Sequence, residues 1–197
     1  MHYYYKKYPF LHYNYTDTDG FYTMFSLPPN LMASAFFKKY KTMPKTFFDC
    51  GAATGEIVYR AQSLGMDARG IDIREYPYQY KHLEKLFTDG KIQIKSILDC
   101  EPIKSDLVYC NGVLTYFTES ELSYVLDKFK ESKMLIAIHN TTEDVMAAES
   151  MGYKLMTCNE PRLIKPIYWW KNKFMNSGFD TEYNQALQCF CAVPNER

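Results

Sequence analysis

The chain has 197 residues, of which 47% are hydrophobic, and this length suits one α/β domain with a packed core. Its 23 basic and 23 acidic residues balance, so no overall field attracts nucleic acid or a membrane surface. No stretch has the apolar core of a signal peptide or the roughly 20 apolar residues of a membrane span. We therefore expect a soluble protein of the cytoplasm.

The six cysteines support the same location. None forms a C-x-x-C pair and no histidine cluster lies nearby, whereas a zinc site needs four converging ligands. Reduced thiols in the cytosol are the simplest account of this pattern. We expect no metal site.

Residues 1–45 differ from the rest of the chain, because the first fifteen residues are crowded with Tyr and His. Pro28, Pro29 and Asn30 predict the start of a helix that runs from Leu31 to about Tyr40. We treat 1–45 as an aromatic-rich N-terminal segment with helical character and 46–197 as the α/β domain.

From residue 46 onward the pattern alternates between strand and helix. In chain order it predicts strand Thr46–Asp49, helix Glu56–Leu64, strand Ala68–Ile73, helix Tyr78–Phe87, strand Ile92–Ile94, strand Asp106–Cys110, a helix opened by a capping box at Thr118–Glu121 and ending near Lys130, strand Met134–Ile138, a helix capped by Thr142 and ending at Gly152, and a helical stretch within Pro161–Asn176.

Two final strands, Phe179–Tyr183 and Ala186–Val193, are joined by Asn184 and Gln185. So short a link allows an antiparallel hairpin and not a parallel crossover. The predicted fold is therefore α/β, with a doubly wound, mostly parallel seven-stranded sheet that contains one reversed strand near its C-terminal end.

The stretch Asp49-Cys50-Gly51-Ala52-Ala53-Thr54-Gly55 joins the first strand to the first helix of this domain. Small residues in such a turn let backbone N–H groups approach a ligand, and the helix N-terminus adds positive potential. An acid stands where a dinucleotide site would have its first glycine, and no Walker lysine follows. Because a carboxylate repels a pyrophosphate, the turn favours a ligand with an ammonium group and no phosphate.

Two more acids follow strand ends. Asp72 ends the second strand, where a carboxylate can accept hydrogen bonds from both hydroxyls of a ribose. Asp99 follows the third strand, where an adenine amino group could donate to it. A single acid at a strand end is often a helix cap, but three in register point to a nucleoside site.

The span from about Lys45 to Val193 resembles the class I S-adenosylmethionine-dependent methyltransferases, a Rossmann-like superfamily. The resemblance is carried by the glycine turn, by Asp72 and Asp99, by Asp106-Leu107-Val108 with the following Asn111-Gly112-Val113-Leu114, and by the reversed last strand. Ala53 departs from the glycine that many members have there. The resemblance implies S-adenosyl-L-methionine as cofactor, with S-adenosyl-L-homocysteine as product, held by Asp49, Cys50, Gly51, Ala53, Gly55, Asp72, Ile73, Leu98, Asp99 and Asn111.

Methyl transfer from a sulfonium is an in-line displacement with an activated electrophile, so the protein supplies mainly alignment and exclusion of water. We therefore expect metal-independent transfer without a covalent intermediate. His139, at the end of the fifth strand, is a candidate general base near neutral pH, although a hydrogen-bonded strand-end histidine is an equal alternative. Tyr116 is a candidate for the acceptor pocket, with packing under the next helix as its alternative.

The sequence narrows the class of methyl acceptor only in part. The place after the fourth strand reads Asn111-Gly112-Val113-Leu114 and not the Asn/Asp-Pro-Pro-aromatic motif of amine-directed nucleobase methylases, and Cys110 does not follow a proline as the nucleophile of cytosine methylases does. A small-molecule acceptor leads. Nucleic acid, not indicated by the charge, and protein remain alternatives, as does a non-catalytic cofactor-binding partner subunit. Family analogy suggests that Tyr15, Tyr22 and Phe25 belong to an N-terminal lid over the cofactor, with packing of this segment against the sheet as the preferred alternative.

Overall fold

The computed structural model describes residues 27–73, 81–139, 141–150 and 163–195. The predicted helix at 78–87 and the proposed lid residues fall partly or wholly outside these ranges, as does the predicted helix end at Gly152. None of the described helices has the length and apolar character needed to cross a membrane.

Six α-helices are described within these ranges. They are α1 (Pro29–Tyr40), α2 (Glu56–Ser63), α3 (Lys81–Thr88), α4 (Glu119–Lys128), α5 (Thr142–Ser150) and α6 (Ile167–Asn176). Short 3-10 turns cover Ile97–Asp99 and Leu114–Tyr116.

Seven strands form one sheet in the order β3-β2-β1-β4-β5-β7-β6. They are β1 (Thr46–Cys50), β2 (Asp67–Asp72), β3 (Ile92–Ile94), β4 (Leu107–Asn111), β5 (Met134–Ile138), β6 (Phe179–Asn184) and β7 (Cys189–Pro194). The first five are parallel, and β7 runs antiparallel to both β5 and β6. The predicted α/β sheet with one reversed strand is confirmed.

The chain order reverses at β1, whose two neighbours are β2 on one side and β4 on the other. In open α/β sheets, a crevice opens beyond the carboxyl ends of the strands at such a switch point, and ligands bind there. The glycine turn leaves β1 at this place, so the predicted cofactor residues that follow β1, β2 and β4 lie at the ends of neighbouring strands.

Both faces of the sheet are covered, as parallel strands require. On one face α1, α2 and α3 pack through an apolar cluster that includes Met32, Phe36, Val58 and Leu86. On the other face α4 and α6 pack through a second cluster that contains Trp170 and other aromatic rings. Because Phe36 and Met32 of α1 are fully buried in the same cluster as β1, this helix is part of the core.

Local sequence signals explain several helix starts. The capping box at α4 is confirmed, since the Thr118 hydroxyl accepts from the Glu121 N–H and the Glu121 carboxylate accepts from the Thr118 N–H. At α5 the predicted cap is wrong by one residue: Thr141, not Thr142, exchanges these bonds, with Asp144.

Helix α6 lies within the predicted helical stretch and begins after Pro166, because the preceding residues 163–166 bond across the fold: the Leu163 N–H donates to the Thr115 carbonyl, and the Lys165 carbonyl accepts from the Thr142 N–H. The hairpin boundary differs from the sequence prediction. The hairpin link spans residues 185–188 and not two residues, since the Asn184 side chain accepts from the Leu187 N–H and stabilises a longer turn.

Candidate functional site

The glycine turn after β1 folds back over the end of β2. The N–H groups of Gly51 and Ala52 both donate to the Ile71 carbonyl at 2.9 Å, and the Gly55 N–H donates to the Ala52 carbonyl at 2.7 Å. Gly51, Ala53 and Gly55 have φ angles of 92°, 48° and 91°. Glycine adopts such angles at no steric cost, and Ala53 stands in the left-handed region where many family members have glycine.

The close packing around Gly51 adds a second reason for glycine there. A Cβ at this position would overlap Cγ2 of Val113, the residue that follows β4 by two positions. The sequence pattern assigns Val113 no role in the turn. The parallel register that sets Cys50 against Cys110 brings the segments after β1 and β4 side by side, so Val113 forms one wall of the turn.

Cys50 contributes to the turn through its backbone. Its thiol is buried, and the pKa of that thiol is raised first by its hydrogen bond with Cys110 and then by burial. Cys110 is itself fully buried in the sheet, which fits a core thiol and not an exposed nucleophile.

Asp72 is bound directly to the glycine turn. Its Oδ2 accepts a hydrogen bond from the Ala53 N–H at 2.9 Å, and the residue is only 7% exposed. This bond holds Ala53 in its left-handed conformation and fixes the carboxylate at the mouth of the turn. The predicted ribose acid and the predicted glycine turn are therefore one connected structure.

Asp49 lies beside Asp72 and is more deeply buried, at 3% exposure. Burial, followed by the negative charge of Asp72, raises the pKa of the Asp49 carboxyl to about 8. Below about pH 8 the side chain is consequently mostly a neutral carboxylic acid, whereas an ordinary aspartate is already charged above its pKa of 3.8.

The remaining predicted cofactor residues line the same strand ends. Ile73 is largely exposed just after β2, and the Asp72 carbonyl accepts from the Lys95 N–H at 2.7 Å, so the segment that follows β3 starts beside Asp72. Leu98 and Asp99 belong to the 3-10 turn of that segment, with Asp99 exposed. Asn111 ends β4 next to the glycine turn. The meeting of Asp99 with the other two acids stays a prediction.

His139, directly after β5, is enclosed by aromatic rings. Its ring centroid lies 3.8 Å from that of Trp170 and 5.0 Å from that of Phe190, with the latter ring nearly parallel. The residue is 5% exposed. Neither ring nitrogen has a hydrogen-bond partner among the described residues, and neither has Nε1 of Trp170. Since each buried unpaired polar atom costs about 1–3 kcal/mol, these three nitrogens favour a ligand or water that can hydrogen-bond.

The environment of His139 corrects the expectation that its ring titrates near neutral pH. Burial lowers the pKa of the imidazole to about 3, because the aromatic rings around it cannot solvate a positive charge. In this structure His139 is a neutral ring that can donate one hydrogen bond and accept another.

This low pKa predicts a pH-dependent contribution to stability. In the unfolded chain His139 gains a proton below its ordinary pKa of 6.5, so wild type loses stability relative to His139→Phe as the pH falls. Between pH 7 and pH 5 the difference in unfolding free energy between the two proteins should shift against wild type by about 2 kcal/mol. Urea unfolding at each pH measures it.

Comparing the two proteins cancels the contribution of Asp49, which has the opposite sign. Its pKa is raised in the folded state, so the folded protein binds the extra proton and stability falls as the pH rises toward 8. A difference between wild type and His139→Phe that stays constant from pH 7 to pH 5 would show that the imidazole is not enclosed as described.

Tyr116 and the two tryptophans differ in how far their rings are exposed. Tyr116 is 42% exposed in the 3-10 turn after β4, so its ring is not packed away under α4. Trp170 is fully buried, while Trp169 is partly exposed, lies edge-on to it and has the Lys165 ammonium 5.2 Å from its ring centroid. The two tryptophans therefore divide between the core and the surface.

Within the part of the chain that the structure describes, no three His, Cys, Asp or Glu side chains are grouped as a metal site requires.

The fold is that of the class I S-adenosylmethionine-dependent methyltransferases. The chain is similar to the sugar N-methyltransferase KedS8 from Streptoalloteichus sp ATCC 53650, with a TM-score of 0.67, 12% identity, and coverage of 87% of this chain and 88% of the other. DesVI from Streptomyces venezuelae gives a TM-score of 0.63 at 12% identity, with coverage of 84% and 89%.

A third similar structure was determined with S-adenosylhomocysteine bound. It is the magnesium protoporphyrin IX methyltransferase of Synechocystis PCC 6803, with a TM-score of 0.57 at 14% identity and coverage of 85% of this chain and 81% of that one. No protein-family model matches the chain, and no curated protein matches its sequence. At these identities the comparisons establish the fold.

Proposed function

We propose that this protein is an S-adenosylmethionine-dependent methyltransferase that transfers a methyl group to a small molecule without a metal ion. The observation that carries the proposal is the hydrogen bond between Asp72 and the Ala53 N–H. It joins a strand-end carboxylate to a left-handed turn of small residues at the switch point of the sheet, which is where this fold binds a nucleoside.

The chemistry of the site fits the cofactor. The turn offers backbone N–H groups without a lysine for phosphate, and a ligand ammonium group can balance the buried acids Asp49 and Asp72. Ile73 places an exposed apolar side chain beside the ribose position. The proposed cofactor residues are Asp49, Cys50, Gly51, Ala53, Gly55, Asp72, Ile73, Leu98, Asp99 and Asn111.

We place the acceptor beside His139 and Tyr116, beyond the ends of β4 and β5. The neutral His139 ring orients an acceptor through hydrogen bonds, and the aromatic rings around it exclude water from the reaction. Similar structures include a sugar N-methyltransferase and a magnesium protoporphyrin IX methyltransferase. The acceptors in both names are small molecules, which supports that class of acceptor here.

The cofactor supplies a methyl group already activated by its sulfonium charge. What remains for the chain is to hold the acceptor atom in line with that methyl group and to keep water out. A neutral His139 can accept a hydrogen bond from an acceptor hydroxyl or amine and so align its lone pair.

Calorimetry with S-adenosylmethionine and S-adenosylhomocysteine tests the cofactor assignment. We expect saturable binding of both and no binding of NADH, because the charge of Asp72, and that of Asp49 once it is deprotonated, disfavours a pyrophosphate beside the turn. The absence of heat with both nucleosides would end the proposal.

Turnover is then measured with methyl-labelled cofactor and a metabolite extract. Label in the small-molecule fraction, unchanged by a chelator, is the expected result. Label in nucleic acid or protein would show that the acceptor is not a small molecule. Loss of transfer with the chelator would contradict metal independence. Binding without any transfer would indicate a non-catalytic cofactor-binding subunit.

A further inference from the structure

Two buried carboxyl groups lie at the ends of the neighbouring strands β1 and β2. Asp49 and Asp72 are 3% and 7% exposed, and the charge of Asp72 acts on Asp49. A second negative charge so close to the first, in a place that water solvates poorly, is strongly disfavoured. One of the two carboxyl groups therefore keeps a proton in the ligand-free protein.

The hydrogen bonds decide which carboxyl is charged. Asp72 accepts the Ala53 N–H, and a backbone donor stabilises a carboxylate. The proton consequently resides on Asp49, whose pKa is raised to about 8 by burial and then by Asp72.

Neither register neighbour of Asp49 in the described sheet carries a positive charge, and on β2 this neighbour is Gly70. From β4 its register neighbour is Tyr109, whose hydroxyl accepts from the Leu27 N–H. On α2, which packs against β1, the Arg60 guanidinium is engaged by Glu56 at 2.9 Å. Within the described ranges, Asp49 thus holds an exchangeable proton where a ligand could place a positive charge.

We propose that Asp49 selects its ligand by exchanging this proton for the ligand's ammonium group, an inference that rests on the proposed function. When the ammonium group takes its place beside Asp49, the carboxyl O–H bond breaks and the proton passes to the solvent. One positive charge replaces another, so the buried pocket keeps its net charge. A nucleoside without an ammonium group leaves the proton on Asp49.

The exchange is measured by titrating the protein with S-adenosylhomocysteine at pH 7 in buffers of different ionisation enthalpy. The dependence of the observed heat on that enthalpy counts the protons released. A carboxyl with a pKa of about 8 is about nine-tenths protonated at pH 7, so about 0.9 proton should be released per ligand. 5′-Methylthioadenosine, which has the same nucleoside but no amino-acid tail, should release close to none.

The affinity for S-adenosylhomocysteine should also depend on pH. Since the proton competes with the ligand, affinity should rise by up to about tenfold per pH unit between pH 6 and 7. Affinity for 5′-methylthioadenosine should stay flat over this range. The Asp49→Asn variant, checked for folding by circular dichroism, should bind S-adenosylhomocysteine more weakly and without proton release.

The outcomes separate the two proposals. Binding of S-adenosylhomocysteine with no proton release, or equal release with both nucleosides, overturns the exchange and leaves the proposed function standing. A wild-type protein that binds neither nucleoside overturns both. The comparison of two ligands on the wild-type protein makes this distinction even if Asp49→Asn does not fold.

Discussion

Replacing Asp72 with alanine is expected to weaken the binding of S-adenosylmethionine and S-adenosylhomocysteine by on the order of 2–3 kcal/mol, which is roughly 30- to 150-fold. Two losses combine in this variant. The proposed carboxylate partner of the ribose hydroxyls disappears, and the Ala53 N–H loses its acceptor at 2.9 Å. Without that bond Ala53 is held less firmly at its positive φ, so the turn also becomes less ordered before the ligand arrives.

Two variants separate these contributions. Asp72→Asn keeps an oxygen that can accept from Ala53 and removes only the charge, so its affinity should lie between those of wild type and Asp72→Ala. Asp67→Ala changes an exposed acid at the other end of β2, where it forms ion pairs with Arg69 and Lys91. Because exposed pairs contribute little, this control should bind like wild type.

Calorimetry measures all three variants, and thermal unfolding shows whether each one is folded. Wild-type affinity in Asp72→Ala would mean that the ribose lies elsewhere. The assignment of Asp72 as the ribose-binding acid would then be wrong. An equal loss in Asp67→Ala would instead point to a general effect of negative charge on β2.

The sheet could be predicted because its signals are local. Strands β3 and β5 have the predicted bounds, since each consists mainly of apolar residues and is flanked by polar ones. The capping box of α4 needs only Thr118 and Glu121, three residues apart in the sequence. Such features depend on residues that are close together in the sequence, so they can be predicted from the sequence alone.

The start of α6 within its predicted stretch depends on contacts between distant residues. The residues before it stay outside the helix because Leu163 bonds to Thr115 and Lys165 to Thr142. No property of residues 163–166 alone reveals those partners. The longer hairpin turn depends instead on a local bond, in which the Leu187 N–H donates to the Asn184 side chain, and this bond competes with the two-residue link that the sequence suggests.

The candidate site shows the same division. Acids at strand ends are visible in the sequence, because parallel strands bring their carboxyl ends to one edge. The protonation states are not, since they depend on surroundings that only the fold assembles. His139 is enclosed by Trp170 and Phe190, from a helix and a strand far along the chain, and these rings convert an expected base into a neutral hydrogen-bonding group.

Replacing Gly51 with alanine is expected to cost both stability and cofactor affinity. The backbone φ of 92° alone costs an alanine about 1–2 kcal/mol, and the new Cβ would also overlap Cγ2 of Val113, which adds about 1–3 kcal/mol of overpacking. Relief of this overlap moves the turn away from β4, so affinity for S-adenosylhomocysteine should fall by roughly tenfold or more.

Gly65→Ala is the matched control for this variant. Gly65 has a similar φ of 85°, but a Cβ there would meet nothing within 4 Å. Its substitution should therefore cost only the backbone strain and leave cofactor affinity unchanged. The difference in unfolding free energy between the two variants isolates the contact with Val113.

A double variant completes the test, because Val113→Ala removes the overlapping methyl group. In the Val113→Ala background, the cost of Gly51→Ala should fall to about that of Gly65→Ala, and part of the lost affinity should return. Denaturant unfolding and calorimetry measure both effects. If Gly51→Ala and Gly65→Ala cost the same in the wild-type background, Val113 does not form the wall of the turn. The close approach of the segments after β1 and β4, on which the shape of the cofactor pocket depends, would then be wrong.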